Sequence, residues 1–175
     1  MTKQTSGRKA HSNGAQFEDY LERVIFAEAL RSGYFARVDK QNPTYFATRS
    51  RAGVAFKPRA ASGADWIALG GPDCLWYYVA IEAKHSDDVT LARSRIEPHQ
   101  AAHLDAAAAA GQLAVLIVSF ASSDGPFHYA VRWSEDLFRR RGNGRSLAIW
   151  DCSGRDELTL TRGLADVLGS WPKLP

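Results

Sequence analysis

Cysteine is scarce in this chain. Only Cys74 and Cys152 occur, and they form no CxxC pair. That excludes a disulfide-dense scaffold and a structural zinc site, and it reads as two reduced thiols in a cytoplasmic protein. No apolar run approaches the ~18 residues that would span a bilayer, so no membrane contact is expected. The motifs of several enzyme classes are also missing. There is no G-x-x-x-x-G-K-[ST] phosphate loop, and Ser119 and Ser134 lack a G-x-S-x-G elbow. His99 and His103 have the spacing of an HExxH zinc motif, but Gln100 stands where the glutamate base belongs. Nor is charge of one sign dominant. There are 22 Lys and Arg against 19 Asp and Glu, a formal net charge of +3 and a pI of about 9.0. That balance permits a polyanionic partner without demanding one.

What is present is enough for one domain. The 175 residues, 45% of them hydrophobic, can bury a real core. Residues 1–12 read as a flexible basic leader and 13–175 as a single domain. Phe17, Leu21, Val24, Ile25 and Leu30 recur at helical intervals, and Gly33 is placed to end that helix. Residues 40–63 mix cations with Asn, Pro, Ser and Gly and predict an irregular or partly extended segment. Asp65–Leu69 and Leu75–Lys84, separated by Gly70-Gly71-Pro72-Asp73, predict a β-hairpin. Pro98 suits a helix start and Gly111 its end. The apolar run Leu113–Phe120 predicts a strand buried on both faces, and Phe127–Trp133 another strand. Ser134 can cap a short helix to about Arg140. Arg139–Arg145 predicts a basic loop, Leu147–Asp151 an edge strand and Leu164–Leu168 a short closing helix. The order predicts an α/β domain with a mixed sheet flanked by helices.

One pattern carries chemistry. On a strand, Glu82 and Lys84 project from the same side and Ala83 from the other. Alone, the two are a salt-bridged pair at a strand end. Asp65 adds more. An antiparallel pairing of Asp65 with Glu82 centres the turn between residues 73 and 74, at the end of the Gly-Gly-Pro-Asp stretch. Two carboxylates then meet beside a lysine. Like charges at short range resist joint ionisation, and a hard divalent cation relieves that repulsion. Asp65 and Glu82 become candidate metal ligands, with the backbone carbonyl of Ala83 as a third. Lys84 becomes the group that orients a water and stabilises developing charge. This is chemistry for phosphodiester hydrolysis.

Gly63-Ala64-Asp65, Ile81-Glu82-Ala83-Lys84 and His99-Gln100 resemble the PD-(D/E)XK, restriction-endonuclease-like nucleases. More narrowly, Ser12-Asn13-Gly14, Phe17-Glu18, a basic stretch before the aspartate, and a helix opening His-Gln and ending at Gly111 resemble the RecU-type Holliday-junction resolvases. The resemblance runs over about residues 12–134. It implies a restriction-endonuclease-like fold, Mg²⁺ (Mn²⁺ substituting) at Asp65 and Glu82, and Lys84 as catalytic lysine. It further implies Glu18 approaching the metal from the first helix, Gln100 supporting the site, and a homodimer acting on branched DNA near the nucleoid. Ala64 departs from the superfamily's proline, and the gap from aspartate to glutamate is long.

Each supporting residue has a plainer reading. Glu18 is also an ordinary exposed helix glutamate, and Gln100 a polar residue of a first helical turn. Lys40, Arg49, Arg51, Lys57 and Arg59 are candidate DNA-phosphate contacts just upstream of Asp65, or else a solvated loop. The function expected is structure-selective DNA cleavage, foremost at Holliday junctions. The alternatives are a nuclease for duplex, flap or damaged DNA and a DNA-binding protein that does not cut.

Overall fold

The computed structural model describes residues 13–41, 45–50, 53–58, 63–71, 78–123, 126–141, 144–152 and 158–159; the side chains of 45–50, 53–58, 141 and 158–159 are not described. The leader, Cys74, Arg51, Arg59, residues 72–73 of the expected turn and the helix expected at 164–168 lie outside these residues.

The first helix, α1, covers residues 13–31 and includes a π-helical stretch, Leu21–Phe26. Phe17, Leu21, Ile25 and Ala29 are buried at every fourth position, with Phe26 buried beside them. In a plain α-helix of about 3.6 residues per turn that stripe would drift around the axis; the wider π turn winds it back toward the core. Gly33 ends the helix at φ 76°, a left-handed conformation that favours glycine.

Strands β1 (Phe35–Lys40), β4 (Trp66–Gly70), β5 (Tyr78–Ser86), β7 (Leu113–Phe120), β8 (Phe127–Arg132) and β11 (Leu158–Thr159) form the main sheet in that spatial order. All its pairings are antiparallel except β5 with β7. The parallel pair is bridged by α2, Pro98–Ala109, as a crossover between parallel neighbours requires. Strands β2 (Tyr45–Ser50) and β3 (Gly53–Pro58) make a separate hairpin. A small second sheet joins β6 (Thr90–Ala92), β10 (Gly144–Ala148) and β9 (Arg139–Arg141).

The side-chain period of two sorts the core into two layers. Leu113, Val115 and Ile117 join Ile81 and Trp66 under α1. Ala114, Leu116, Val118 and Phe120 join Ala80, Ile96 and Leu104 under α2. The mixed sheet flanked by helices is the fold class expected from the sequence.

Within 40–63, residues 45–50 and 53–58 form the β2–β3 hairpin, in keeping with the partly extended reading. Several local expectations are corrected. Lys40 closes an edge strand. Arg139–Arg141 is a strand, paired to Gly144–Ser146, and the helix after Ser134 is only the 3₁₀ turn Glu135–Leu137. The edge strand expected at 147–151 ends at Ala148, and Ile149–Cys152 is a helical turn. Cys152 is a buried thiol.

Candidate active site

Strands β4 and β5 pair with Trp66 opposite Ile81 and Ile67 opposite Ala80. Continued by one residue, that register sets Asp65 opposite Glu82. The backbone of Asp65 is fixed by β1, since the Gln41 N–H donates to the Asp65 carbonyl at 2.8 Å. Its side chain is fixed by β5, since Oδ2 accepts from the Ala83 N–H at 2.9 Å. Gly63 lets the chain reach this position. A Cβ there would sit 2.3 Å from Nδ1 of His103 on α2, closer than packed atoms allow.

Glu82 lies on the central strand of the sheet and is 0% exposed. Its Oε1 accepts from the Lys84 ammonium, while its Oε2 is buried without a hydrogen-bond partner. Burial first, and then the charge of Asp65, push its carboxyl up from 4.5 to about 8 against the pull of Lys84. Asp65 is also raised, chiefly by burial, against the lowering effect of the Ala83 N–H and Lys84. Both carboxylates are held where negative charge is costly, and one of their oxygens is unsatisfied.

Lys84, bonded to Glu82, lines a cleft together with Phe17 and Glu18 of α1, Ala83, His85 and Arg95, and the carboxylate pair lies beneath it rather than in its wall. Arg95 is exposed, with its guanidinium 3.4 Å from the carbonyl of His85. It was not singled out from sequence, because it belongs to a 3₁₀ turn with no motif of its own. Its position beside Lys84 puts two cations on one cleft.

The other expected residues are less simply disposed. Glu18 shares the cleft, but its carboxylate pairs with Lys40 at 3.0 Å, and Lys40 also pairs with Glu22 at 2.8 Å. Burial works to lower the Lys40 value, yet those two hydrogen bonds leave it raised overall. Lys40 is thus committed within the protein and sits over Trp66, 5.3 Å from the ring centre. Gln100 is buried at the start of α2, where its Oε1 accepts from the Glu97 N–H at 3.0 Å in a reciprocal capping box. Arg49 and Lys57 lie on β2 and β3, but their side chains are outside the description.

Among the described residues no three acidic, histidine or cysteine side chains converge into a ready-made metal cage. The Asp65–Glu82 pair nonetheless suits Mg²⁺. That ion is commonly held by one or two carboxylates, with water and substrate phosphate completing its shell. The Oε2 of Glu82, buried without a donor against it, supplies a donor atom in a carboxyl that adjoins Asp65.

No helix among the described residues is long and apolar enough to cross a membrane. No family model and no curated protein matches the chain. Among solved structures it is similar to a Holliday junction resolvase, Hjc, from Archaeoglobus fulgidus. The two share 17% sequence identity over 90% of this chain and 96% of that one, with a TM-score of 0.46. A likeness that loose assigns no function.

Proposed function

We propose that this protein is a divalent-metal-dependent endodeoxyribonuclease acting on branched DNA, with four-way junctions its foremost substrate. The observation that carries the reading is the buried Glu82 carboxylate, with an unpartnered oxygen, in register with Asp65 and bonded to Lys84. A protein using these positions only for stability would do as well or better with apolar side chains there. Retaining two mutually repelling carboxylates makes sense when a cation joins them.

Asp65, Glu82 and the Ala83 carbonyl would hold the ion, Mg²⁺ by preference and Mn²⁺ as substitute. When bound, it supplies an acidified water and neutralises charge on a phosphate. Lys84 orients the attacking water and stabilises the charge that builds on the phosphoryl oxygens. Its ammonium can do so by leaving Glu82 once that carboxylate is otherwise neutralised. Arg95, across the same cleft, binds the phosphate. Glu18 reaches the ion by giving up Lys40. Gln100 is a positioning residue that fixes the start of α2. Arg49, Arg51, Lys57 and Arg59 contact the DNA backbone, a role left open for Lys40 only if its ion pairs break.

The preference for junctions and the homodimer rest on the ordered motifs shared with RecU-type resolvases. A two-fold dimer presents two active sites to the symmetric strands of a junction. The test is cleavage of a synthetic four-way junction, a flap and a plain duplex, each with Mg²⁺ or EDTA. Paired symmetric nicks confined to the junction support resolution. Equal cutting of all three supports a general nuclease. Tight binding without metal-dependent cutting would reject hydrolysis altogether.

A further inference from the structure

A second concavity adjoins the cleft, and hydrolysis alone leaves it without a use. It has a volume of about 370 Å³, at the small end of the range for ligand pockets. Gln16, Tyr20, Ser119 and His128 line it, and it shares Phe17 and His85 with the cleft. Its wall is aromatic. The rings of Phe17 and His128 are stacked 5.1 Å apart at 18°, and Tyr20 lies 5.1 Å from His128 at 30°. Nδ1 of His128 is buried and has no hydrogen-bond partner.

Resting on the nuclease reading above, we propose that this pocket receives an unstacked nucleobase from the strand whose phosphodiester lies in the cleft. The shared Phe17 and His85 set the two cavities side by side, so the occupant of one is within a nucleotide's reach of the other. The half-buried Tyr20 and His128 rings on this wall offer stacking, which any base can use. Among the described residues the pocket lining holds no lysine or arginine, so a phosphate has no described cation there to pair with. Its polar groups are instead amide, hydroxyl and imidazole, the kinds that meet base edges. Burial, aided by the charge of His85, lowers the His128 value. The ring is therefore neutral at pH 7 and adds an uncharged surface to the wall.

The test uses a four-way junction in which a single abasic residue is moved through the strand one position at a time. Binding is read by fluorescence anisotropy in Ca²⁺, with wild type and with Gln16→Trp, which fills the pocket from an exposed helix position. In wild type one position should weaken binding about tenfold, the lower part of the ~1–3 kcal/mol range for stacking on an aromatic group. Gln16→Trp should bind the intact junction about tenfold more weakly and show no further loss at that position. Tyr20→Ala should behave likewise, which covers the case in which the tryptophan disturbs the helix. If no position responds, or if the response is equal in both variants and wild type, the pocket assignment is overturned. Mg²⁺ cleavage of the unmodified junction is scored separately. Cutting with a flat abasic profile sinks only the pocket, and a pocket-dependent profile without cutting sinks only the nuclease reading.

Discussion

Glu82→Gln should make the metal-free protein more stable at neutral pH. Folding takes the Glu82 carboxyl from 4.5 to about 8. Each unit is worth about 1.4 kcal/mol. At pH 7 the folded protein keeps a proton that the unfolded chain has released, a cost of about 3 kcal/mol. Glutamine has the same shape and no such cost. Lys84 exchanges a carboxyl oxygen for a fixed amide oxygen as its hydrogen-bond acceptor, which takes back on the order of 1–2 kcal/mol. The net gain is about 1–2 kcal/mol, or about 2–8 °C in Tm for a chain of this size. The sign with pH follows from proton binding. Between 4.5 and 8 the native state holds more protons than the unfolded one, so wild-type stability falls as pH rises through that window. The gap between variant and wild type should therefore be small near pH 5 and widest near pH 8. The assay is thermal unfolding in EDTA from pH 5 to 9, repeated with Mg²⁺. Added Mg²⁺ should raise the wild-type Tm through binding to the folded state and leave the variant nearly unmoved. A variant less stable than wild type at pH 8 in EDTA, or a gap independent of pH, would refute the reasoning.

Other expectations are simpler. Asp65→Ala should abolish Mg²⁺-dependent cutting while gel-shift affinity for the junction stays within a few-fold, and full activity would remove Asp65 from the site. Lys84→Ala should lower the cleavage rate by about 10²–10³-fold, the usual loss for one charge-stabilising donor, measured in single-turnover reactions. Arg95→Ala should weaken DNA binding and reduce the slope of log affinity against log salt by about one, as expected for one lost phosphate contact; an unchanged slope argues that Arg95 faces solvent only. Gln100→Ala breaks the capping box and should cost about 1 kcal/mol, or about 2–4 °C, with a rate loss no larger than the altered helix start explains.

The convergence of Asp65 with Glu82 was legible because two independent signals agreed on it. The Gly-Gly-Pro-Asp stretch fixed where the chain reverses, and strand alternation fixed which side chains meet. Leu113–Phe120 was equally plain, since only a strand covered on both faces reads as unbroken apolar sequence. Strand β1 was hidden because its exposed edge carries Arg37, Asp39 and Lys40, with a single fully buried residue at its start. Arg139–Arg141 was hidden for a related reason. Its pairing is dictated by β10, and three arginines carry no β pattern of their own. The ties of Lys40 to Glu18 and Glu22 span 22 and 18 residues. They depend on β1 docking beside α1, which no local spacing reveals.

The π turn in α1 gives the molecule a phase adjuster. Upstream of Leu21–Phe26 the helix faces the cleft with Phe17 and Glu18; within the stretch it buries Leu21, Ile25 and Phe26, and downstream Ala29. Removing one residue from that wide turn would let the helix relax to ordinary pitch with its two halves in nearly the same phase, whereas straightening the turn at full length would rotate them by about 100° relative to each other. The downstream half would keep its seat on the sheet, while the upstream half would swing its cleft-facing side chains aside. Chain length could thus be preserved while the two cavities lost a common wall, so a change that straightens the turn acts as a rotary dial on the site and a one-residue deletion does not.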